Sequence, residues 1–251
     1  MRKYIRLVSG LGPRVLKRIG WINKYAHHPE CADIVVRYAK VHDFLSLTMN
    51  NFRIRFYVGG AENIPGDTNV LFVPNHQSLL DPVSLIAYFE RPISFLSKVE
   101  VAKFPVVGKI VQGIDGVFMD RDNMRQEIKA IGKVGDRLEA DPRLSYVIFP
   151  EGTRTKDKDK EVGDFKAGAL KPAYNASKPI VPVAMYGTFR ILDQKEHRKM
   201  YPVQIKFLKP HDPAEFAEIP TTKMAEIIQS EIATEVRKMR VRDRLLTDKF
   251  D

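Results

Sequence analysis

The sequence predicts an α/β fold, with a central mixed or mostly parallel sheet flanked by helices. Three observations carry this. Short apolar runs recur along the chain: Val70–Val73, Ile93–Leu96, Val117–Met119, Leu144–Phe149 and Ile180–Met185. Between them lie longer segments with apolar side chains at helical spacing, and loops containing glycine and proline separate the two kinds. Continuous apolar strands are those buried on both faces of a sheet, and strands that alternate with helices place helices on both of those faces. At 251 residues the chain can bury one substantial core with an appendage. We place the appendage at residues 1–55, an amphipathic two-helix motif, and the α/β domain at residues 56–251.

In chain order, residues 3–22 carry Ile5, Val8, Val15, Ile19 and Ile22 on one side, with cations mainly on the other and Trp21 near the end. Gly10, Gly12 and Pro13 interrupt this helix midway. Residues 31–52 give a second helix, with Ile34, Val35, Tyr38, Val41, Leu45 and Thr48 on one side. Arg53 to Val58 alternates as a half-buried strand does and ends at Gly59-Gly60. Ile64-Pro65-Gly66-Asp67 is a turn before the strand at Val70–Val73. Asp81-Pro82 is a helix start, with an acidic N-cap and proline at the first helical position, and that helix runs to about Phe89. After Val117–Met119, Asn123 caps a helix with Met124, Ile128, Ile131 and Leu138 on one face. Lys156 to Glu161 alternates in charge and reads as a solvated loop. Another helix opens at Phe165-Lys166-Ala167-Gly168, and strands follow at Ile180–Met185 and Val203–Leu208. A last helix spans Thr222 to about Leu246, with Met224, Ile227, Ile228, Ile232 and Val236 inward. The cations of its final turns suit the negative end of the helix dipole.

The composition narrows the function. The single cysteine, Cys31, excludes an intrachain disulfide framework, and six scattered histidines give no zinc-ligand spacing. No run of about 18 uncharged apolar residues exists, so no membrane-spanning helix is expected. The net charge of +10 is concentrated at one end, with seven cations and no acid in residues 1–28. A basic amphipathic helix of this kind lies in the headgroup layer of an anionic membrane, each cation near the surface contributing about 1 kcal/mol. The rival reading is internal packing of the apolar stripe. Nucleic-acid binding is disfavoured, because the segment lacks interleaved aromatics and any known binding module.

The chemistry gathers in loops that follow strands. One loop holds His76 and Asp81, one Arg121, and one Glu151, Thr153 and Arg154, with Lys166 opening the next helix. Five residues on a regular helix would set His76 and Asp81 about 140° apart, so they meet only across a strand-to-helix turn. Taken alone, the pair reads first as an ordinary loop histidine followed by a helix cap. In open α/β sheets ligands bind where strand ends face one edge, and Arg121, Arg154 and Lys166 brought together there suit a phosphate.

Four blocks, in order, make the sequence similar to the glycerophospholipid acyltransferases, most closely their bacterial lysophosphatidic acid branch. They are Asn75-His76-Gln77-Ser78-Leu79-Leu80-Asp81, Gly116-Val117-Phe118-Met119-Asp120-Arg121, Phe149-Pro150-Glu151-Gly152-Thr153-Arg154-Thr155 and Val181-Pro182-Val183. The likeness covers roughly residues 56–210. Met119 stands where the family more often has isoleucine, and the membrane-spanning helices common among relatives are missing. The resemblance implies acyl transfer from acyl-CoA or acyl carrier protein to lysophosphatidic acid, giving phosphatidic acid, with no metal or organic cofactor. It implies a protein held at the cytoplasmic face of the cell membrane, peripheral or monotopic, on an anionic phospholipid surface. A relative acylating glycerol-3-phosphate or another lysolipid, a thioester hydrolase, and a non-catalytic membrane module are the alternatives.

An unactivated hydroxyl needs a base, and neutral His76 suits that part. Asp81 would hold its tautomer and stabilise the imidazolium, as in a Ser-His-Asp triad with the substrate hydroxyl in place of serine. Ser78 is disfavoured as a nucleophile for want of a second base. Arg121, Arg154 and Lys166 would hold the acceptor's phosphate, with Glu151, Gly152 and Thr153 in the same phosphate-binding set. Backbone amides near the His76 turn are the candidates for the oxyanion.

Overall fold

The computed structural model describes residues 18–155, 161–193 and 198–248. The greater part of the first expected helix, its interruption at residues 10–13 included, and most of the expected loop at residues 156–161 lie outside those residues.

Among the described residues seven strands form one sheet: β1 (Ile54–Gly59), β2 (Leu71–Pro74), β3 (Ile93–Lys98), β4 (Val117–Met119), β5 (Ser145–Val147), β6 (Ile180–Tyr186) and β7 (Tyr201–Phe207). Their order is β1-β7-β6-β2-β5-β3-β4. Strands β2 to β6 run parallel to one another. β7 turns back antiparallel on β6 and carries β1 parallel beside it. The sheet is therefore mixed, and the carboxyl ends of β2, β4, β5 and β6 share one edge.

The helices cover both faces. Residues 18–27 form α1, followed by α2 (Ile34–Asn51), α3 (Asp81–Tyr88) and α4 (Val107–Gly113). These lie over the face that carries Val70, Phe72, Phe95, Val181 and Phe207. On the other face α5 (Met124–Ala140), α6 (Lys171–Ala176) and α8 (Thr221–Asp248) cover Leu71, Val73, Tyr146 and Ile180. A short helix, α7 (Pro213–Phe216), precedes α8. Alternate residues of β2 thus enter opposite cores, as period-two side chains must. The apolar side of α2 belongs to the first of these layers. Tyr38 donates to the Phe89 carbonyl at 3.0 Å, and buried Arg37 pairs with Asp115 at 2.7 Å. Val35, expected on that side, is exposed.

The start of α5 departs from expectation. Asn123 caps it, accepting from the Gln126 amide at 3.2 Å. Ala130, Ile131, Val134 and Leu138 face the core, whereas Met124 and Ile128 are 76% and 62% exposed. The buried stripe is centred on Val134. At 100° per residue, that places Met124 and Ile128 on the flank of the helix. They lie one turn apart, beside the exposed cations Arg125 and Lys129.

Candidate active site

β2 ends inside the sheet, and Asn75 holds its exit. The Asn75 side chain donates to the Met185 carbonyl at 3.1 Å and accepts from the Met185 amide at 2.7 Å, so it extends the pairing with β6 by one rung. The chain then turns at His76 before entering α3.

Across that turn His76 Nδ1 stands 2.8 Å from Asp81 Oδ2. Asp81 is fully buried, while the His76 side chain keeps 16% of its exposure. A carboxylate accepts only, so Nδ1 carries the proton here and Nε2 keeps the lone pair. The same Asp81 oxygen accepts the amides of Gln77 at 2.6 Å and Ser78 at 2.8 Å, and the other accepts the Thr188 hydroxyl. Asp81 is thus the first residue of α3 and reaches backwards. The N-cap position belongs to Leu80, which makes no side-chain cap. The expected capping geometry is replaced by one in which the carboxylate gathers the turn ahead of the helix. Phe149 lies against the imidazole, with ring centroids 4.2 Å apart. Ser78 Oγ accepts the Leu80 amide at 3.2 Å.

The loop after β5 is tied to the same turn. Glu151 accepts the His76 amide at 2.7 Å, the Thr155 hydroxyl and the Gly163 amide at 3.0 Å. Thr155 in turn donates its amide to the His76 carbonyl at 2.9 Å. Burial pushes the Glu151 carboxyl above its ordinary value, against the pull of its three donors and of His76. The amides of His76, Gln77 and Ser78 therefore already have acceptors, which removes them from the expected oxyanion donors.

Gly152 brings two cations together. Its φ is +69°, and a Cβ placed there would stand 3.3 Å from Arg121 Nη1 and 3.4 Å from Lys166 Cε. Without a side chain at 152, Arg121 (from the end of β4) and Lys166 (ahead of α6) converge over this loop. Arg121 Nε is buried and has no hydrogen-bond partner among the described residues. Burial pushes the guanidinium below its ordinary value, with Glu127 and Glu100 opposing, and it remains charged at neutral pH. A buried donor without an acceptor is costly, so this pair of cations is suited to an anion. Thr153 and Arg154 are exposed on the same loop, as Lys166 is. Thr188 is absent from the sequence-based set, and no local signal marks it.

These parts define a class of site: a histidine paired with a buried carboxylate on a turn tied to a loop where two cations converge, on the carboxyl edge of an α/β sheet. Comparison with known proteins specifies it. Residues 55–186 match the family model described as Acyltransferase. A protein of Mycoplasma pneumoniae named "Probable 1-acyl-sn-glycerol-3-phosphate acyltransferase" is 33% identical over 222 residues, 83% of this chain and 81% of its own length. A protein of Borreliella burgdorferi named "1-acyl-sn-glycerol-3-phosphate acyltransferase" is 34% identical over 139 residues, 54% of this chain and 52% of its own. The crystal structure of the 1-acyl-sn-glycerophosphate acyltransferase PlsC from Thermotoga maritima shares the fold, with a TM-score of 0.74 at 23% identity, covering 96% of this chain and 97% of that one. The chain belongs to the Acyltransferase family and is an acyltransferase.

Proposed function

We propose that this enzyme transfers a fatty acyl group from a thioester, acyl-CoA or acyl carrier protein, to the sn-2 hydroxyl of lysophosphatidic acid, giving phosphatidic acid. The observation that carries the proposal is the His76–Asp81 contact of 2.8 Å on the loop tied through Glu151 to the Arg121–Gly152–Lys166 convergence. It sets a base beside an anion pocket, and lysophosphatidic acid carries a hydroxyl to be deprotonated and a phosphate to be held. The names of the Mycoplasma and Borreliella relatives point the same way.

In this reading Nε2 of His76 takes the hydroxyl proton as that oxygen attacks the thioester carbonyl. Asp81 stabilises the imidazolium, and the proton passes to the leaving thiolate as the tetrahedral intermediate collapses. Direct attack needs no acyl-enzyme, and the Ser78 hydroxyl is engaged by the Leu80 amide. Arg121 and Lys166 hold the phosphate, with Thr153 and Arg154 at its exposed side. Glu151 and Gly152 shape the pocket, one by fixing the His76 turn and the other by leaving room for the cations. No metal or organic cofactor takes part.

The same reading places the enzyme on an anionic membrane surface, at the cytoplasmic face. No helix among the described residues is long and apolar enough to cross a membrane. Leu79, Phe104, Val107, Met124 and Ile128 are exposed on segments that follow β2, β3 and β4, the edge that carries His76. Exposed Lys103, Arg125 and Lys129 accompany them. Apolar side chains ringed by cations suit a headgroup layer, and the seven cations of residues 1–28 add to that attraction.

Product analysis by mass spectrometry, with a panel of lysolipid acceptors, glycerol-3-phosphate and both donors, tests the assignment. Phosphatidic acid as the dominant product supports it. Acylation of glycerol-3-phosphate, or free fatty acid alone, replaces it.

A further inference from the structure

Asp81 receives its hydrogen bonds unevenly. Oδ2 serves His76, Gln77 and Ser78, all from its own turn. Oδ1 depends on the Thr188 hydroxyl, which comes from the segment after β6, 107 residues along the chain. Thr188 is fully buried, and several contacts fix its place. Gly187 adopts φ +104°, and a Cβ there would stand 2.5 Å from the Pro202 carbonyl oxygen, so only glycine makes this turn at the end of β6. The Gly187 amide points to Gln77 Oε1 at 3.3 Å. Two residues beyond Thr188, buried Arg190 meets both oxygens of Asp243 on α8 at 2.9 and 2.5 Å. Its guanidinium also covers the Phe189 ring at 5.0 Å. The segment is thus anchored to α8 on one side and to the His76 turn on the other.

We propose that Thr188 is a positioning residue for the acyl transfer. Its hydroxyl fixes the rotamer in which Asp81 Oδ2 holds His76, and it moderates the charge that the carboxylate presents to the imidazole. The inference rests on the His76–Asp81 reading above. A carboxylate with one buried oxygen unpaired would turn about χ2, carrying the imidazole it holds through Nδ1 out of alignment. Its charge would also be less delocalised into hydrogen bonds, which favours the imidazolium and raises the pH at which His76 becomes a base. Among the described residues, the charged groups in contact with His76 are Asp81 across the turn and Glu151 behind its amide.

The test is steady-state kinetics on the full chain with Thr188→Val, Thr188→Ser and His76→Ala. Thr188→Val should lower kcat about tenfold, the cost of one hydrogen bond to a buried charge, with both KM values nearly unchanged. The acid limb of its pH–rate profile should move up by roughly half to one pH unit. Thr188→Ser should restore both. If Thr188→Val does not fold, Thr188→Cys carries the same readout, since a thiol is a weak donor. A valine or cysteine variant with unchanged kcat and acid limb overturns the inference. So does a loss accompanied by an unmoved acid limb or not restored by serine, which would mark Thr188 as structural only. Turnover surviving in His76→Ala would instead remove the base assignment on which the inference rests.

Discussion

The buried Glu151 carboxylate holds the His76 amide at 2.7 Å with one oxygen and the Thr155 hydroxyl and Gly163 amide with the other. Two loops that follow different strands are joined at this one side chain, so an acidic group sets the spacing between the His76 turn and the loop where Arg121 and Lys166 converge.

Replacement Glu151→Gln places an amide donor against one of those donors. We expect kcat to fall about tenfold or more, a bond to a buried charge being worth roughly 1.5–3 kcal/mol. A pH signature accompanies it. Burial raises the folded-state pKa of Glu151 above its ordinary 4.5, so the folded chain holds this proton more tightly than the unfolded chain. The stability from this group is fully present below pH 4.5 and declines as pH rises through the raised value. Melting temperatures measured across that window should fall with pH in the wild type and lose that component in the variant. Identical slopes would remove the linkage.

Alanine at Gly152 meets Arg121 and Lys166 at their flexible ends and must take a φ of +69°. The strain costs about 1 kcal/mol, and the displaced cations open the anion pocket. The expected result is a KM for lysophosphatidic acid raised about fivefold to tenfold with kcat changed less, the loss of part of one charge-assisted contact. A Gly152→Ala enzyme with wild-type KM would contradict the convergence.

Arg121→Ala should raise that KM more than Arg154→Ala, because Arg121 presents a half-buried guanidinium whose buried Nε has no partner among the described residues, and Arg154 is exposed. We expect about a hundredfold against a few-fold, in keeping with buried and solvent-screened charge pairs. Rates with a monoacylglycerol acceptor, which lacks the phosphate, should not separate the two variants. Equal KM effects would move the phosphate toward the exposed side of the loop.

Phe104→Ser combined with Met124→Ser removes two of the most exposed apolar side chains near the site edge, 60% and 76% exposed. Sedimentation with anionic vesicles should weaken by about tenfold or more, each side chain giving up part of a transfer energy of roughly 1.5–3 kcal/mol. Turnover of a dispersed short-chain lysolipid should stay as it was. Undiminished sedimentation would leave the cations of residues 1–28 as the attachment.

Much of the fold is legible locally. The β2 and β4 runs, the Asn123 cap and the inward stripe of α8 are short-range patterns, and each is found where the sequence puts it to within a few residues. Periodicity could not place Met124 and Ile128, because a helix flank and a helix core share the same spacing, and only the neighbouring elements decide which is covered. The Asp81 carboxylate is similar. Asp-Pro reads as a cap from composition, yet Asp81 reaches back to Gln77 and Ser78 once β2 and α3 fix the angle between them.

By itself, then, the sequence determined where most of the described strands and helices lie, and which strand-following segments carry His76, Asp81, Arg121, Glu151 and Lys166. These follow from side-chain period and turn chemistry, which act over a few residues. The tertiary structure alone decided that β7 reverses against β6, that Glu151 ties two loops, and that Thr188 and the Arg190–Asp243 pair stand behind the His76 turn. Those partners are separated by tens to more than a hundred residues. Their meeting depends on how the whole sheet closes, and no local preference encodes that.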